Sequence, residues 1–206
     1  MKLHTLVLGD LSTNCYILAD EKTCEAMVVD APAQAETILD FLKEQNYTLK
    51  EIVLTHGHFD HILALEKLQQ ATGAPIAIHQ NGETFLKDSL YNLCHYVGIR
   101  WTPVQPHRLL QDGDTVSVGD FTFQVLHTPG HTSDCICLFG EGILISGDTL
   151  FSQSVGRVDH PTGSLPQEIQ SIQEKLMVLP DKTPVYPGHG PATTIGAERE
   201  WNPYLQ

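Results

Sequence analysis

Short apolar runs separated by turn residues predict a chain rich in β-strands. Residues 2–8 and 14–19 alternate or run apolar on either side of the turn-rich segment 9–14, which predicts a hairpin. Strands are predicted at residues 2–8, 14–19, 26–29, 51–55, 75–78, 114–118, 121–127, 135–139, 142–146 and 183–186.

Apolar residues recur at helical spacing in three places. Residues 34–45 repeat them at i, i+3, i+4 and i+7, which predicts an amphipathic helix packed on a sheet. A second helix is predicted after the strand at 51–55 and should end near Gly73. A third is predicted at 165–178, where Ser164 and Gln167 have the spacing of a capping box.

The two halves of the chain share one order of elements, several strands followed by a helix, with no linker-like segment between them. This order predicts an α/β (α+β) fold in which two mixed sheets stack face to face with helices outside. With 206 residues the chain can bury a substantial core, and we expect one domain over residues 1–206. Residues 79–106 are less regular, and the sequence leaves open whether they form a lid over a site or connect the two halves.

The composition excludes several classes of protein. Hydrophobic residues make up 41% of the chain and charged residues 18%, which is typical of globular proteins. No apolar run is long enough for a transmembrane helix, and the N-terminus turns polar too soon for a signal peptide. We therefore expect a cytoplasmic protein with no membrane partner. The five Cys residues include no Cys-x-x-Cys pair, which argues against a disulfide framework.

The net charge of −13 argues against a nucleic-acid partner, since an acidic surface repels phosphate backbones. The argument is weaker at a metal centre, because bound divalent ions would make the charge positive where a substrate binds. We expect a small-molecule substrate and no nucleic acid.

Four metal-capable side chains follow the strand predicted at 51–55: His56, His58, Asp60 and His61. In extended backbone, residues two apart point to the same side, so His56 and His58 can reach one ion. Asp60 and His61 lie past the bend at the start of a helix and are aimed differently, which suits a second ion. Imidazole and carboxylate ligands favour zinc, iron or manganese over calcium or magnesium. Such a density of ligands directly after a strand predicts a metal centre.

Three further candidates stand on turns directly after predicted strands. They are His131 in Thr-Pro-Gly-His-Thr, Asp148 in Ser-Gly-Asp-Thr and His189 in Pro-Gly-His-Gly. A Gly beside each lets the backbone turn sharply and approach closely. Each alone would be a weak signal, but together with the first cluster they can supply two adjacent ions, an arrangement typical of hydrolytic sites.

The remaining histidines have no partner at ligand spacing: His4, His79, His95, His107, His127 and His160. Surface or hydrogen-bonded core positions are expected for all but His160, which follows the tract 156–159 soon after Asp148 and stays open as a site residue. Arg157 in that tract has two equally good interpretations, a surface side chain or a ligand for a substrate carboxylate.

The order of these motifs resembles that of the metallo-β-lactamase superfamily. The matching segments are 55–61, 128–132, 146–151 and 186–190. Within the superfamily the chain is most similar to glyoxalase II-like (hydroxyacylglutathione hydrolase-like) enzymes, and Asp148 separates it from the β-lactamases proper. The tracts 155–159 and 193–203 resemble a short, single-domain bacterial branch of that group.

The resemblance implies a four-layer αβ/βα sandwich and assigns ligands by matched position. One ion would take His56, His58 and His131, the other would take Asp60, His61 and His189, and Asp148 would bridge both. Zinc is the expected metal for both ions, with iron or manganese as alternatives. Full-length glyoxalase II carries a C-terminal helical domain that supplies basic residues to glutathione, and this chain has no room for it. Thioester chemistry is therefore favoured over tight glutathione specificity.

The predicted activity is metal-dependent hydrolysis of S-D-lactoylglutathione or a related hydroxyacyl thioester by a metal-bound hydroxide. Asp60 is the candidate catalytic residue, since as ligand and hydrogen-bond acceptor it would orient the hydroxide. Arg157 is the candidate to hold a substrate carboxylate. Thiols have a pKa of about 8–9, so a thiolate leaves without a strong general acid.

Four alternatives remain at the level of sequence. A persulfide dioxygenase would use a single iron at His56, His131 and Asp148. A lactonase or esterase would need the same metals and differ only in its pocket. Cleavage of RNA is disfavoured by the acidic charge, and a binding module with a vestigial site by the complete ligand set. The oligomeric state does not follow from the sequence.

Overall fold

The computed structural model describes every residue from 1 to 206. Its strands are β1 (Lys2–Leu8), β2 (Thr13–Asp20), β3 (Glu25–Val29), β4 (Thr48–Val53), β5 (Ile76–His79), β6 (Arg108–Leu110), β7 (Thr115–Val118), β8 (Phe121–His127), β9 (Ile136–Gly140), β10 (Ile143–Gly147), β11 (Leu150–Phe151), β12 (Ser154–Val155), β13 (Pro184–Pro187) and β14 (Thr193–Thr194). Its α-helices are α1 (Ala35–Glu44), α2 (Phe59–Ile62), α3 (Leu65–Thr72), α4 (Glu83–Lys87), α5 (Leu165–Ser171) and α6 (Ile195–Trp201). None of these helices has the length and hydropathy needed to cross a membrane.

Two six-stranded sheets form the centre of the fold. The first has the strand order β1-β2-β3-β4-β5-β6, antiparallel from β1 to β3 and parallel from β3 to β6. The second has the order β14-β13-β10-β9-β8-β7, and only β10 and β13 pair in parallel. In the predicted hairpin, Leu6 pairs with Cys15. Both sheets are mixed, as the order of elements predicts.

The core between the sheets is built from alternate residues of their strands. Met27 and Val29 of β3 belong to the same apolar cluster as Phe123 and Val125 of β8. Val28 belongs instead to the cluster that includes α1 and α3. Successive side chains of a strand point to opposite faces, so one strand contributes to two apolar layers.

Helices cover the outer face of each sheet. Ile38 of α1 and Leu65 of α3 belong to the cluster on the first sheet. Ile172, directly after α5, and Ile195 of α6 pack with Leu144 on the second sheet. The layers therefore run helix, sheet, sheet, helix, which is the predicted αβ/βα sandwich.

The single helix predicted to end near Gly73 is wrong, because the structure has two short helices, α2 and α3, in its place. The break has a local cause. The Ala31 N–H donates to the His61 carbonyl at 2.8 Å, and the Ala64 N–H donates to the Ala31 carbonyl at 2.9 Å. The loop after β3 thus occupies a carbonyl that a continuous helix would use. Gly73 ends the second helix in left-handed backbone, as expected of a helix C-terminus.

The irregular segment 79–106 contains α4 and then a series of turns. The Asn92 side chain donates to the Phe85 carbonyl at 2.9 Å. The Asn92 carbonyl accepts from the Phe59 N–H at 2.8 Å. These bonds fix the turns against the start of α2, so the segment does more than connect the two halves.

The predicted capping box at the third helix is wrong. Ser164 precedes α5 with extended backbone, but its side chain makes no capping hydrogen bond. Its backbone N–H donates instead to the Gly130 carbonyl at 2.7 Å. This bond ties the start of α5 to the turn that carries His131.

Phe123→Ala should lower the free energy of unfolding by about 3–5 kcal/mol, because the ring is fully buried between the sheets and its removal leaves a cavity. Urea unfolding followed by circular dichroism measures the change. Val178→Ala, at a side chain that is 72% exposed, is the control and should change stability by less than about 0.5 kcal/mol. A loss below about 1 kcal/mol at Phe123 would contradict close packing between the sheets.

Candidate metal centre

All the predicted ligands lie just past the carboxyl ends of strands from both sheets. Those from the first sheet follow β4, and those from the second follow β8, β10 and β13. In chain order they are His56, His58, Asp60, His61, His131, Asp148 and His189. Because the sheets stack face to face, these turns meet at one edge of the sandwich.

The first group of donors is His56, His58 and His131. His58 Nδ1 lies 3.2 Å from His56 Nε2 and 2.9 Å from His131 Nε2. Nitrogen atoms bound to a tetrahedral zinc ion at about 2.0–2.1 Å are separated by about 3.3 Å, so the observed spacing fits one ion. All three side chains are buried.

The second group is Asp60, His61 and His189. Asp60 Oδ2 lies 3.5 Å from His61 Nε2 and 3.1 Å from His189 Nε2. Asp148 stands between the groups. Its Oδ1 is 3.4 Å from His61 Nε2, and its Oδ2 is 3.4 Å from His189 Nε2 and 3.8 Å from His131 Nε2. A carboxylate in this position can contact ions held by either group.

The chemistry of the donors fits a pair of divalent ions. His61 Nε2 and Asp148 Oδ1 are buried and have no hydrogen-bond partner, which is costly for polar atoms that hold no ligand. A third triad, His56, His61 and Asp148, also has its donor atoms within 4.8 Å of one another. The sequence did not predict this triad, which joins the two groups into one centre.

Most of the candidate imidazoles are held through their second nitrogen. The contacts are His61 Nδ1 to Asp30 Oδ2 at 2.8 Å, His131 Nδ1 to the Arg157 carbonyl at 2.6 Å, His56 Nδ1 to Thr55 Oγ1 at 3.2 Å, and His189 Nδ1 to the Leu11 carbonyl at 3.2 Å. Such partners orient a ring and select its tautomer, so that the other nitrogen is available to a metal.

Asp30 is a residue that the sequence reasoning missed. It is buried at the end of β3 and accepts hydrogen bonds from the N–H and the hydroxyl of Thr55, both at 2.8 Å, as well as contacting His61. Its φ of +61° is uncommon for a residue other than glycine. The available signal was an Asp directly after an apolar strand, the same context as Asp148.

Burial and nearby carboxylates shift the pKa values of the candidate histidines in opposite directions. Burial lowers the pKa of His56 well below its ordinary value, so its ring is neutral and can donate a lone pair. Burial also opposes charge on His61 and His189. The carboxylates of Asp148 and Asp60 outweigh it, raising the pKa of His61 well above its ordinary value and that of His189 to about 9. In the absence of metal these raised pKa values favour the charged form of both rings, so metal binding at them competes with a proton.

Two buried carboxyl groups that the sequence reasoning also missed support the turn around His131. Glu168 accepts a hydrogen bond from the His131 N–H, and burial raises its pKa to about 8. Asp134 accepts from the Thr132 hydroxyl at 2.6 Å, and burial raises its pKa to about 7. Both groups hold a proton more readily than exposed acids do, so each adds less negative charge near the centre at neutral pH than an exposed carboxylate would. Neither residue stands in a motif that would have marked it.

His160 and Arg157 both lie at the mouth of the centre. The His160 ring centroid is 5.1 Å from that of His58 and 5.6 Å from that of His131, but His160 belongs to no donor group. The Arg157 guanidinium donates to both carboxylate oxygens of Asp159, at 2.8 and 2.7 Å. The role of Arg157 in holding a substrate carboxylate stays a prediction.

The family model of the metallo-beta-lactamase superfamily matches residues 8–189 of this chain. The chain belongs to the metallo-β-lactamase superfamily. The matched range contains every candidate ligand, from His56 to His189.

Two superfamily relatives match over almost their whole length. The probable metallo-hydrolase YqgX of Bacillus subtilis is 33% identical, with 100% of this chain and 98% of YqgX covered. The hydroxyacylglutathione hydrolase GloC of Haemophilus influenzae is 32% identical, with 100% of this chain and 98% of GloC covered. The predicted resemblance to hydroxyacylglutathione hydrolases is confirmed at this modest identity.

Three solved structures share the fold. BLEG-1 B3 metallo-beta-lactamase superposes with a TM-score of 0.94 at 36% identity, covering 100% of both chains. TTHA1623 in a di-iron-bound form gives a TM-score of 0.88 at 32% identity, covering 98% of this chain and 100% of TTHA1623. ETHE1 from Myxococcus xanthus gives 0.82 at 33% identity, covering 98% of this chain and 84% of ETHE1. The predicted metallo-β-lactamase fold is confirmed.

Gly188→Ala should weaken metal binding by about 10–100-fold, because a Cβ at this position would overlap Asp148 Oδ1 and press on His61. Elemental analysis after dialysis measures the retained metal. Gly142→Ala is the control for a Gly→Ala change away from the centre, since its Cβ would meet no atom within 4 Å. Its φ of +74° makes it the more strained backbone of the two, so backbone strain alone would predict the larger effect there. Equal metal retention in the two variants would contradict the placement of Asp148 between the two donor groups.

Proposed function

We propose that this protein is a binuclear metallohydrolase that cleaves thioesters, S-D-lactoylglutathione or a related hydroxyacyl thioester. The observation that carries the proposal is the arrangement of two donor groups with Asp148 between them. A dioxygenase with one iron would need only His56, His131 and Asp148, so a complete second group supports two ions. The similarity to GloC supports the thioester as the bond that is cleaved.

Two divalent ions lower the pKa of a water that they share and polarise a carbonyl oxygen, and this is the chemistry that they would supply here. Zinc is the first choice, and iron or manganese are compatible with the same ligands. The residues that would hold the first ion are His56, His58 and His131, those that would hold the second are Asp60, His61 and His189, and Asp148 would contact both.

Asp60 is the residue of this set best placed to orient the attacking water. It borders the cavity above the centre, and its Oδ2 accepts a hydrogen bond from the Thr13 hydroxyl at 3.3 Å. His189 Nε2 lies 3.1 Å from the same oxygen. A carboxylate fixed in this way can accept a hydrogen bond from the attacking water. The hydrogen bond directs a lone pair of the water oxygen at the carbonyl carbon of the substrate.

The reaction balances with water as the only co-reactant. A C–O bond forms between water and the carbonyl carbon, and the C–S bond breaks with its electron pair on sulfur. The thiolate takes up one proton, and the other is released as the carboxylate product forms. Because thiols have a pKa of about 8–9, the sulfur can leave before it is protonated.

Hydrolysis of β-lactams is a second candidate, favoured by the superposition on BLEG-1 over the whole of both chains. The histidine donors would serve that reaction as well, but Asp148 separates this chain from the β-lactamases proper. The thioester ranks first because a thiolate leaves unprotonated, whereas an amide nitrogen needs a proton as it departs.

Metal content and hydrolysis test the proposal together. Protein purified without added metal should contain two ions per chain by elemental analysis and should hydrolyse at least one hydroxyacyl thioester, followed by loss of thioester absorbance. One iron per chain with oxygen uptake and no hydrolysis would overturn the proposal in favour of a dioxygenase. Two ions with turnover of nitrocefin and of no thioester would establish the β-lactam candidate instead.

Asp60→Asn and His58→Ala should each lower kcat/KM for thioesters by roughly a hundredfold or more, because the first removes the negative charge of a donor and the second removes a donor altogether. Circular dichroism should show the fold intact, and elemental analysis should accompany each assay. Asp40→Asn and His4→Ala, both outside the donor groups, are the matched controls and should keep full activity. Full activity in Asp60→Asn or His58→Ala would exclude these residues from the reaction.

A further inference from the structure

One cavity opens over the metal centre, and its lining indicates which substrates it accepts. Its volume is about 830 Å³, and its base is formed by His58, Asp60, His131, Asp148 and His189. This volume suits a small-molecule ligand. A substrate with its carbonyl at the base must place its remaining atoms along the walls.

Five of the apolar residues that line the cavity come from distant parts of the chain. Leu93, Tyr96 and Val97 come from the turns after α4, Leu11 from the loop between β1 and β2, and Phe151 from β11. Tyr96 is 66% exposed, Leu11 53% and Val97 49%. Large apolar side chains exposed together around a cavity mark a surface that gains free energy when a ligand covers it. We call these five residues the apolar wall.

The apolar wall is held by buried polar contacts. Asn92 is fully buried, its carbonyl accepts from the Phe59 N–H at 2.8 Å, and its Oδ1 accepts from the Cys94 N–H at 3.0 Å. Leu93 between them has a φ of +69°, which residues other than glycine rarely adopt. Strain of this kind persists only where the surroundings fix it. The turns that carry the wall are therefore anchored at the same edge as the metal centre.

Outside the metal centre and its histidines, the cavity offers no unpaired cation to an anionic substrate. Arg157 is the only Lys or Arg among the residues that line it, and its guanidinium is engaged by Asp159, which also lines it. The other lining carboxylates, Asp60 and Asp148, belong to the metal centre. Glutathione has carboxylates at both of its ends, and taking these out of water without a cation is costly.

We propose that this cavity selects thioesters whose thiol portion is uncharged and apolar, and that this portion lies against the apolar wall. The inference rests on the proposed thioesterase activity and names its substrate class. An aryl or alkyl thiol gains by burying its surface against Tyr96 and Val97, whereas a glutathione thioester leaves its carboxylates unpaired.

Two substrates with the same acyl group test the proposal. S-D-lactoylglutathione and the D-lactoyl thioester of benzyl mercaptan share the reacting carbonyl and differ in the charge of the thiol portion. Each kcat/KM is divided by the rate constant for hydrolysis of the same thioester by hydroxide in solution without the protein. This ratio removes the difference in reactivity between the two leaving groups. The metal-loaded protein should favour the benzyl thioester by about tenfold or more.

Binding is measured separately with thioethers, which keep the thiol portion and are not hydrolysed. Isothermal titration calorimetry compares S-(2-hydroxypropyl)glutathione with benzyl 2-hydroxypropyl sulfide. The benzyl compound should bind more tightly, and the difference should be present whether or not the protein turns over a thioester.

The variants Val97→Lys and Val178→Lys distinguish the effect of a cation inside the cavity from the effect of a change in the net charge of the protein. Both valines are exposed, and both substitutions change the net charge equally, but only Val97 lines the cavity. Val97→Lys should shift the kcat/KM ratio toward the glutathione thioester by roughly fivefold, since it places a cation beside a carboxylate. Val178→Lys should leave the ratio unchanged.

Arg157→Ala should change kcat/KM for both thioesters by the same factor, because Asp159 already engages the guanidinium. A loss of kcat/KM confined to the glutathione thioester would overturn the proposal.

The outcomes distinguish this proposal from the proposed function. Hydrolysis of both thioesters with a preference for the glutathione compound, or tighter binding of its thioether, overturns the selection for apolar thiols and leaves the thioesterase standing. If protein with two ions hydrolyses neither thioester nor any other, the proposed function fails, and the thioether comparison still decides which thiol portion the cavity accepts.

Discussion

The hydrogen bonds of Asp30 tie the candidate metal centre to the first sheet. Its carboxylate accepts from the N–H and the hydroxyl of Thr55 and lies 2.8 Å from His61 Nδ1. The Thr55 carbonyl in turn accepts from the Ile136 N–H of the second sheet at 2.9 Å. All these groups are buried, so losing the carboxylate would leave donors unpaired in the core. One short network therefore sets the position of a candidate ligand and joins the two sheets beside it.

Two further hydrogen bonds hold the second sheet against the first. The Asn14 side chain and the Tyr16 hydroxyl, both from β2, donate to the Pro187 carbonyl at 2.9 and 2.7 Å. Pro187 ends β13 and directly precedes the turn that carries His189. The spacing between donors from different sheets thus depends on how the sheets pack, and metal bound there would in turn stabilise that packing.

The centre and the apolar wall are built from different kinds of structure. The donors follow the ends of sheet strands, which a buried core holds rigidly. The wall comes mostly from the turns at 88–99, which lie outside both sheets. Loops on a rigid scaffold can vary independently of it, so a shared set of donors can serve different substrates.

The sequence by itself determined most of the strands and the candidate ligands. Both are local signals, because alternation of apolar residues marks a strand and Gly beside His or Asp after a strand marks a sharp turn. Three features depended on residues distant in the chain and were decided only by the tertiary structure. Ala31 divides the helix after His61, Asp30 reaches across to Thr55, and Asn14 donates to the Pro187 carbonyl beside the turn that carries His189. Such contacts exist only once the chain has folded, since no local pattern specifies which distant group will meet a given side chain.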